Sequence, residues 1–167
     1  KTYEQQAVAS YDWMREASKI PELSQRLKFV FAQSDDGAEF IWRVMRDTMV
    51  YAAQCLEDIA EGLPKSLDDA ICWGFNWQRG PLELWQGVGY DQTRQRMTKD
   101  GCKLPGWCEE GCEFYRPIPG SEDWMLSGST EMLDTITGKF RQIERPQYEY
   151  RLPKFRTSKD DRVVISN

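Results

Sequence analysis

Cys102, Cys108 and Cys112 stand close together in a polar, Gly-rich stretch of a chain that contains no histidine. A zinc centre takes four ligands, usually in CxxC or HxxxH pairs. The spacing here, five residues and then three, holds neither, so a site would have to recruit a distant Cys or a carboxylate, and unligated thiols are the favoured reading. A nucleophilic Cys fares no better, because it lacks an imidazole to take its proton. General acid–base work near neutral pH meets the same obstacle. Carboxylates can be tuned upward by burial, yet nothing in the spacing of the acidic residues singles out a pair for that task. Nucleotide chemistry has one weak signal, Gly87-x-Gly89. It follows a helical pattern instead of a strand, and Gln92 occupies the place of the third Gly in GxGxxG; no GxxxxGK[ST] occurs.

The elements that would position such residues are mostly helical. The stretch Trp73–Gly89 holds three Trp and four Gly in seventeen residues. A helix beginning at Leu67 should run out at Gly74, where a missing side chain admits the left-handed stop. Asn76 to Arg79 then turn the chain, and Gly80-Pro81 opens a new short helix, since proline suits the first helical position. Gly87-Val88-Gly89 closes that helix near Gln86. Asp91 caps a further polar helix ending at Gly101, and Pro105–Gly111 adds one more turn.

Upstream, Tyr3 to Ser18 has helical composition, and Pro21 opens a segment whose apolar face is Leu23, Leu27, Phe29 and Phe31. Gly37 to Glu61 repeats Phe40, Ile41, Val44, Met45, Thr48, Met49, Ala52, Cys55, Leu56 and Ile59 at three- and four-residue spacing, leaving Arg46, Asp47, Glu57 and Asp58 for the wet side, and is the central helix. Gly62 and Pro64 end it. Ser66, with Asp69 three residues later, is an N-cap signal for the next helix. After Glu113 the composition shifts to Pro117, Pro119, Pro146 and Pro153 with short β-prone runs, and Thr137-Gly138 suits a hairpin turn between Asp134 and Lys139. The expected organisation is a helical domain over residues 1–113 and a loop-rich, β-containing extension over 114–167 with little core of its own. The fold class is mostly α.

Composition narrows the partners. The 167 residues suffice for one domain with a real core but are short for a cofactor domain plus a substrate domain. A net charge of −5 supplies no positive field for nucleic acid or anionic lipid. No run approaches the roughly 20 apolar residues that cross a bilayer, and the Lys1 start lacks a signal peptide's regions. Five cysteines, an odd number with Cys55 and Cys72 inside helices, fit reduced thiols and a cytoplasmic setting.

Taken in order, the Trp73–Gly89 corner with Gly80-Pro81, Phe40-Ile41-Trp42 heading the long helix, Tyr51-Ala52-Ala53 within it, Ser66-Leu67-Asp68-Asp69-Ala70, Pro105-Gly106-Trp107 and Phe114-Tyr115 resemble one family. It is the C-terminal helical domain of the 3-hydroxyacyl-CoA dehydrogenases, in the long bacterial β-oxidation form that continues into an enoyl-CoA hydratase-like module. The resemblance covers about Leu27 to Tyr115 and is weaker in the tail, where Arg162–Asn167 is similar to the lead into that module. It implies a helical bundle belonging to an NAD-dependent oxidoreductase of fatty-acid breakdown. NAD and the acyl-CoA substrate would be bound by the parent enzyme. The partners of this piece would be the missing NAD-binding domain and hydratase-like module, with a homodimer left open.

The family's proton transfer uses a His oriented by a Glu, so the chain alone is expected to be inactive. The resemblance places Gln78, Arg79, Gly80 and Pro81 in the turn that approaches the substrate cleft, and Arg43 where active relatives carry an Asn beside the substrate carbonyl. Arg cannot reproduce an amide that both donates and accepts. Arg43 therefore suggests a degenerate copy kept for packing, or a group that pairs with a CoA phosphate, or a plain surface ion pair. Trp73, Trp77, Trp85 and Phe75 could form a flat wall for an acyl chain, although core packing is favoured on area alone. The assignment is thus a wall of the acyl-CoA cleft or a brace of the assembly; the alternative is a purely structural copy making inter-domain or dimer contacts.

Overall fold

A computed structural model describes residues 10–116, 131–143, 156–157 and 163–164. The order is α1 (Asp12–Ser18), α2 (Leu23–Phe31), α3 (Asp36–Ala60), α4 (Pro64–Phe75), α5 (Pro81–Lys99), β1 (Tyr115–Arg116), β2 (Glu131–Asp134), β3 (Lys139–Gln142), β4 (Arg156–Thr157) and β5 (Val163–Val164). Strands β1, β2 and β3 form an antiparallel sheet in that order, and β4 pairs with β5. The fold is mostly helical, as expected. The first part of the Tyr3–Ser18 segment, the prolines at 117, 119, 146 and 153, the run from Trp124 to Leu126, and most of Arg162–Asn167 lie outside the described residues.

Helix α3 carries the architecture. Asp35 caps it, its carboxylate accepting from Ala38 N at 2.9 Å, and Glu61 closes it in the left-handed conformation just before Gly62. Its inner face, Trp42, Met49 and Leu56, packs with Leu82, Trp85 and Met97 of α5 and with Phe114 into one core. Trp42 is fixed three ways: its indole N–H donates to Asp100 at 2.7 Å, Phe31 meets it edge-on, and the Arg96 guanidinium lies 4.1 Å from its ring centre. Tyr115 and Met132 belong to the same core, so β1 and β2 lean on the helices.

Several helix limits differ from the sequence expectations. Helix α4 starts at Pro64, with Ser66 inside the first turn donating its N–H to Leu63 O, and Asp69 is engaged by Lys65 instead of capping. Proline's fixed φ starts the helix earlier than the Ser66 cap would. It also runs past Gly74 to Phe75, and the left-handed terminator is Asn76 (φ 56°, ψ 36°), whose short amide side chain tolerates that conformation.

Helix α5 does not stop near Gln86. Gly87 and Val88 stay helical, Gly89 alone leaves the helix (φ 108°, ψ 100°), and the helix resumes to Lys99. Asp91 caps nothing; its carboxylate accepts from Gly111 N at 2.9 Å and secures the loop after α5. That loop, including Pro105–Gly111, contains turns only. The β2–β3 hairpin does turn through Gly138, which adopts φ 66°.

Candidate functional site

The polar centre of the molecule is the corner where α4 meets α5. Gly80 carries no side chain and Pro81 no N–H, so the first turn of α5 comes against α4 closely enough that a Cβ on Gly80 would overlap the Asp68 side chain. Asp68, 3% exposed, uses that proximity to cap α5 from a neighbouring helix. Its two oxygens accept from Leu82 N and Glu83 N, each at 2.9 Å, while the Tyr115 hydroxyl donates to Oδ2 at 2.6 Å. A helix N-terminus and three donors favour the anion. Burial opposes them and pushes the Asp68 carboxyl up to about 7. Glu83, one turn into α5, is also raised by burial and is partly offset by Arg79 at 2.7 Å.

The corner is sewn to the sheet by Gln86. Its carbonyl oxygen accepts from Phe114 N (2.6 Å) and Tyr115 N (3.0 Å), and its amide donates to Tyr115 O (2.8 Å). One side chain thus satisfies the backbone of two residues. On the far side, Thr135 N donates to Gly62 O at 3.0 Å, joining the hairpin to the α3–α4 link.

The site residues expected from the sequence divide between the two ends of α5. Gln78, Arg79, Gly80 and Pro81 lie at its start: Gln78 is exposed, Arg79 half-buried in its pair with Glu83, and Gly80 and Pro81 are buried. Arg43 is on α3, exposed, 3.0 Å from Glu39, and Glu39 in turn reaches Arg96 near the other end of α5. The aromatic corner also divides. Trp85 is fully buried and Trp77 packs partly on the core, whereas Trp73 is 81% and Phe75 70% exposed, so core packing accounts for only half of the group. Trp73 lies on the side of α4 opposite the buried Leu67 and Asp68, and Phe75 is the last residue of that helix.

Sequence reasoning missed Asp68, Glu83 and Tyr115. A raised carboxylate pair does exist, but its members are fifteen residues apart on different helices, and only the buried approach at Gly80 brings them together. Asp68 sits too deep to exchange protons with a substrate, and its chemistry is that of a cap.

The cysteines are thiols, with Cys108 buried and the others half-buried. Burial pushes Cys108 up to about 12 and raises Cys72, Cys102 and Cys112 as well, which leaves little thiolate at neutral pH. Among the described residues no group of three or more His, Cys, Asp or Glu could hold a metal. None of the described helices is long and apolar enough to cross a membrane.

Against known proteins, the chain is 22% identical over 166 residues, 99% of its length, to a probable 3-hydroxyacyl-CoA dehydrogenase of Bacillus subtilis (strain 168). It spans about a fifth (20%) of that relative's length. No family model matches it. No solved structure matches it.

Proposed function

We propose that the chain is a helical segment of a 3-hydroxyacyl-CoA dehydrogenase-like protein, one that shapes the acyl-CoA cleft or braces the assembly while another part performs hydride and proton transfer. The observation that carries this is the end-to-end similarity to a fifth of a probable dehydrogenase, joined to a sequence without any imidazole. The carboxylates that burial raises are spent on the fold: Asp68 caps α5, and Glu83 pairs with Arg79. In this reading NAD and the rest of the catalytic machinery belong to the parent protein. Trp73, Phe75 and Gln78 form the exposed part of the corner that would face the cleft.

The second reading is a degenerate structural copy that never touches substrate. Its support is specific: Gly80 and Pro81 are buried, Arg79 is committed to Glu83, and Arg43 sits in an exposed pair with Glu39. Calorimetric titration of the purified chain with an acyl-CoA separates the two. Saturable binding weakened by Gln78→Ala or Arg43→Ala supports the cleft; no binding supports the structural copy. NAD-dependent oxidation of a 3-hydroxyacyl-CoA by the chain alone overturns both.

A further inference from the structure

We propose that Cys108 and Cys112 form a reversible dithiol–disulfide pair, closed by a low-molecular-weight disulfide such as oxidised glutathione. This goes beyond the reading above and does not depend on it. The two residues border one turn. Cys112 N donates to Glu109 O at 3.4 Å, and Gly111 takes the left-handed conformation (φ 74°) that such a turn favours. Asp91 of α5 holds the turn in place by accepting from Gly111 N at 2.9 Å. The ends of a turn lie less than about 7 Å apart, and a disulfide joins Cα atoms separated by about 4.4–6.8 Å. Cys112 closes the turn and Cys108 immediately precedes it.

The side chains converge as well. Both thiols interact with the hydroxyl of Tyr90 and with each other, and that hydroxyl is buried without a nitrogen or oxygen partner among the described residues. The Tyr90 ring is stacked on Trp85 at 5.0 Å and meets Phe114 edge-on, directly after the break at Gly89. A buried hydroxyl served by sulfur alone adds little to stability, because thiols are weak hydrogen-bonding partners. It does favour each thiolate when one forms, as Arg94 does for Cys108.

Exposure sets the order of events. Cys112 is half-buried and lines a surface cavity of about 400 Å³ with Lys28, Gln86 and Gln92, whereas Cys108 is 7% exposed. The Cys112 thiolate attacks one sulfur of the oxidant, and the first glutathione leaves as a thiol after taking up a proton. The Cys108 thiolate then attacks the Cys112 sulfur, the bond from that sulfur to the second glutathione breaks, and the disulfide is closed. Two electrons pass from the pair to the oxidant, and the two thiol protons end on the two released thiols. Burial raises both cysteines, and Asp91, Glu109 and Glu113 add to this at Cys112, so the resting state is reduced and closing is slow. The disulfide carries no charge to desolvate, so the same burial does not oppose it.

The test equilibrates the full chain in glutathione buffers of increasing oxidised fraction, quenches with acid, alkylates the remaining thiols and digests with trypsin. Cys108 and Cys112 share the tryptic peptide 104–116, because no Lys or Arg lies between Lys103 and Arg116. That peptide should lose two hydrogens and escape alkylation, dithiothreitol should reverse both changes, and the Cys102 peptide should stay alkylated. Cys108→Ala should trap glutathione on Cys112, and Cys112→Ala should leave Cys108 unmodified. A pair still alkylated in fully oxidised glutathione, a bridge from either cysteine to Cys102, or glutathione retained on Cys112 of the natural protein in place of closure would each overturn the proposal. The peptide masses of the natural protein decide the matter even if a variant fails to fold.

Discussion

The Tyr115 hydroxyl donates to Asp68 at 2.6 Å across forty-seven residues of sequence, tying the first strand to the helix that caps α5. Three elements meet in this one carboxylate, so it stabilises their mutual arrangement more than any single helix. Removing the donor leaves the acceptor with its two backbone partners but deprives a buried anion of a charge-assisted bond.

Above about pH 8, where Asp68 is ionised, Tyr115→Phe should therefore destabilise the fold by about 1.5–3 kcal/mol, the range for a hydrogen bond to a charged group. Urea denaturation of the two proteins provides the comparison. A loss below about 0.5 kcal/mol would mean that Asp68 is neutral or that the bond is weak.

Asp68 should also impose a pH dependence. Its folded value lies near 7, above the ordinary 3.8, so between those limits the native state holds a proton that the unfolded state has released. Its contribution to stability is present below pH 4, falls as pH rises toward 7, and is flat above. The slope approaches about 1.4 kcal/mol per pH unit at its steepest. Subtracting the urea stability curve of Asp68→Asn from that of the natural protein should reveal this fall; parallel curves would deny the raised value.

Two glycines on either side of the corner should respond in opposite ways to alanine. Gly80→Ala drives a Cβ into Asp68 and should cost about 2–4 kcal/mol, because the cap must move. Gly74→Ala meets nothing within 4 Å and sits in the last turn of α4, so it should stabilise by about 0.5–1 kcal/mol. Thermal midpoints moving in the same direction would contradict the close approach.

Gln86→Leu keeps the bulk of the side chain but removes every bond it makes to Phe114 and Tyr115. Their amides should lose hydrogen-exchange protection, and stability should fall by about 2–4 kcal/mol. Retained protection would place their partners elsewhere.

Much of the fold could be read from local pattern. The existence of α3, the proline start of α5 and the Gly138 turn each depend on short-range geometry, and each is where the sequence puts it; the apolar repeat of α3 only partly faces the core, since Met49 and Leu56 are buried while Phe40, Val44 and Ile59 are exposed. The errors share a cause. Gly74 and Gly87 can stop a helix but do not have to, and packing decided otherwise, passing the stop to Asn76 and the break to Gly89. Trp85 and Trp73 are equally apolar in sequence; their places on the inner face of α5 and the outer face of α4 bury one and expose the other. The candidate site was less legible, since the Asp68–Glu83 cluster depends on a tertiary approach that no spacing encodes.

The small sheet has two flanks, and Gln86 occupies one of them. With the N–H and C=O of Tyr115 already engaged by a helix side chain, that border offers no template for another strand. Among the described residues β3 is the other border of this sheet, and its exposed Lys139 and Arg141 disfavour pairing with a further strand. A glutamine thereby closes one border of this sheet to edge-to-edge pairing.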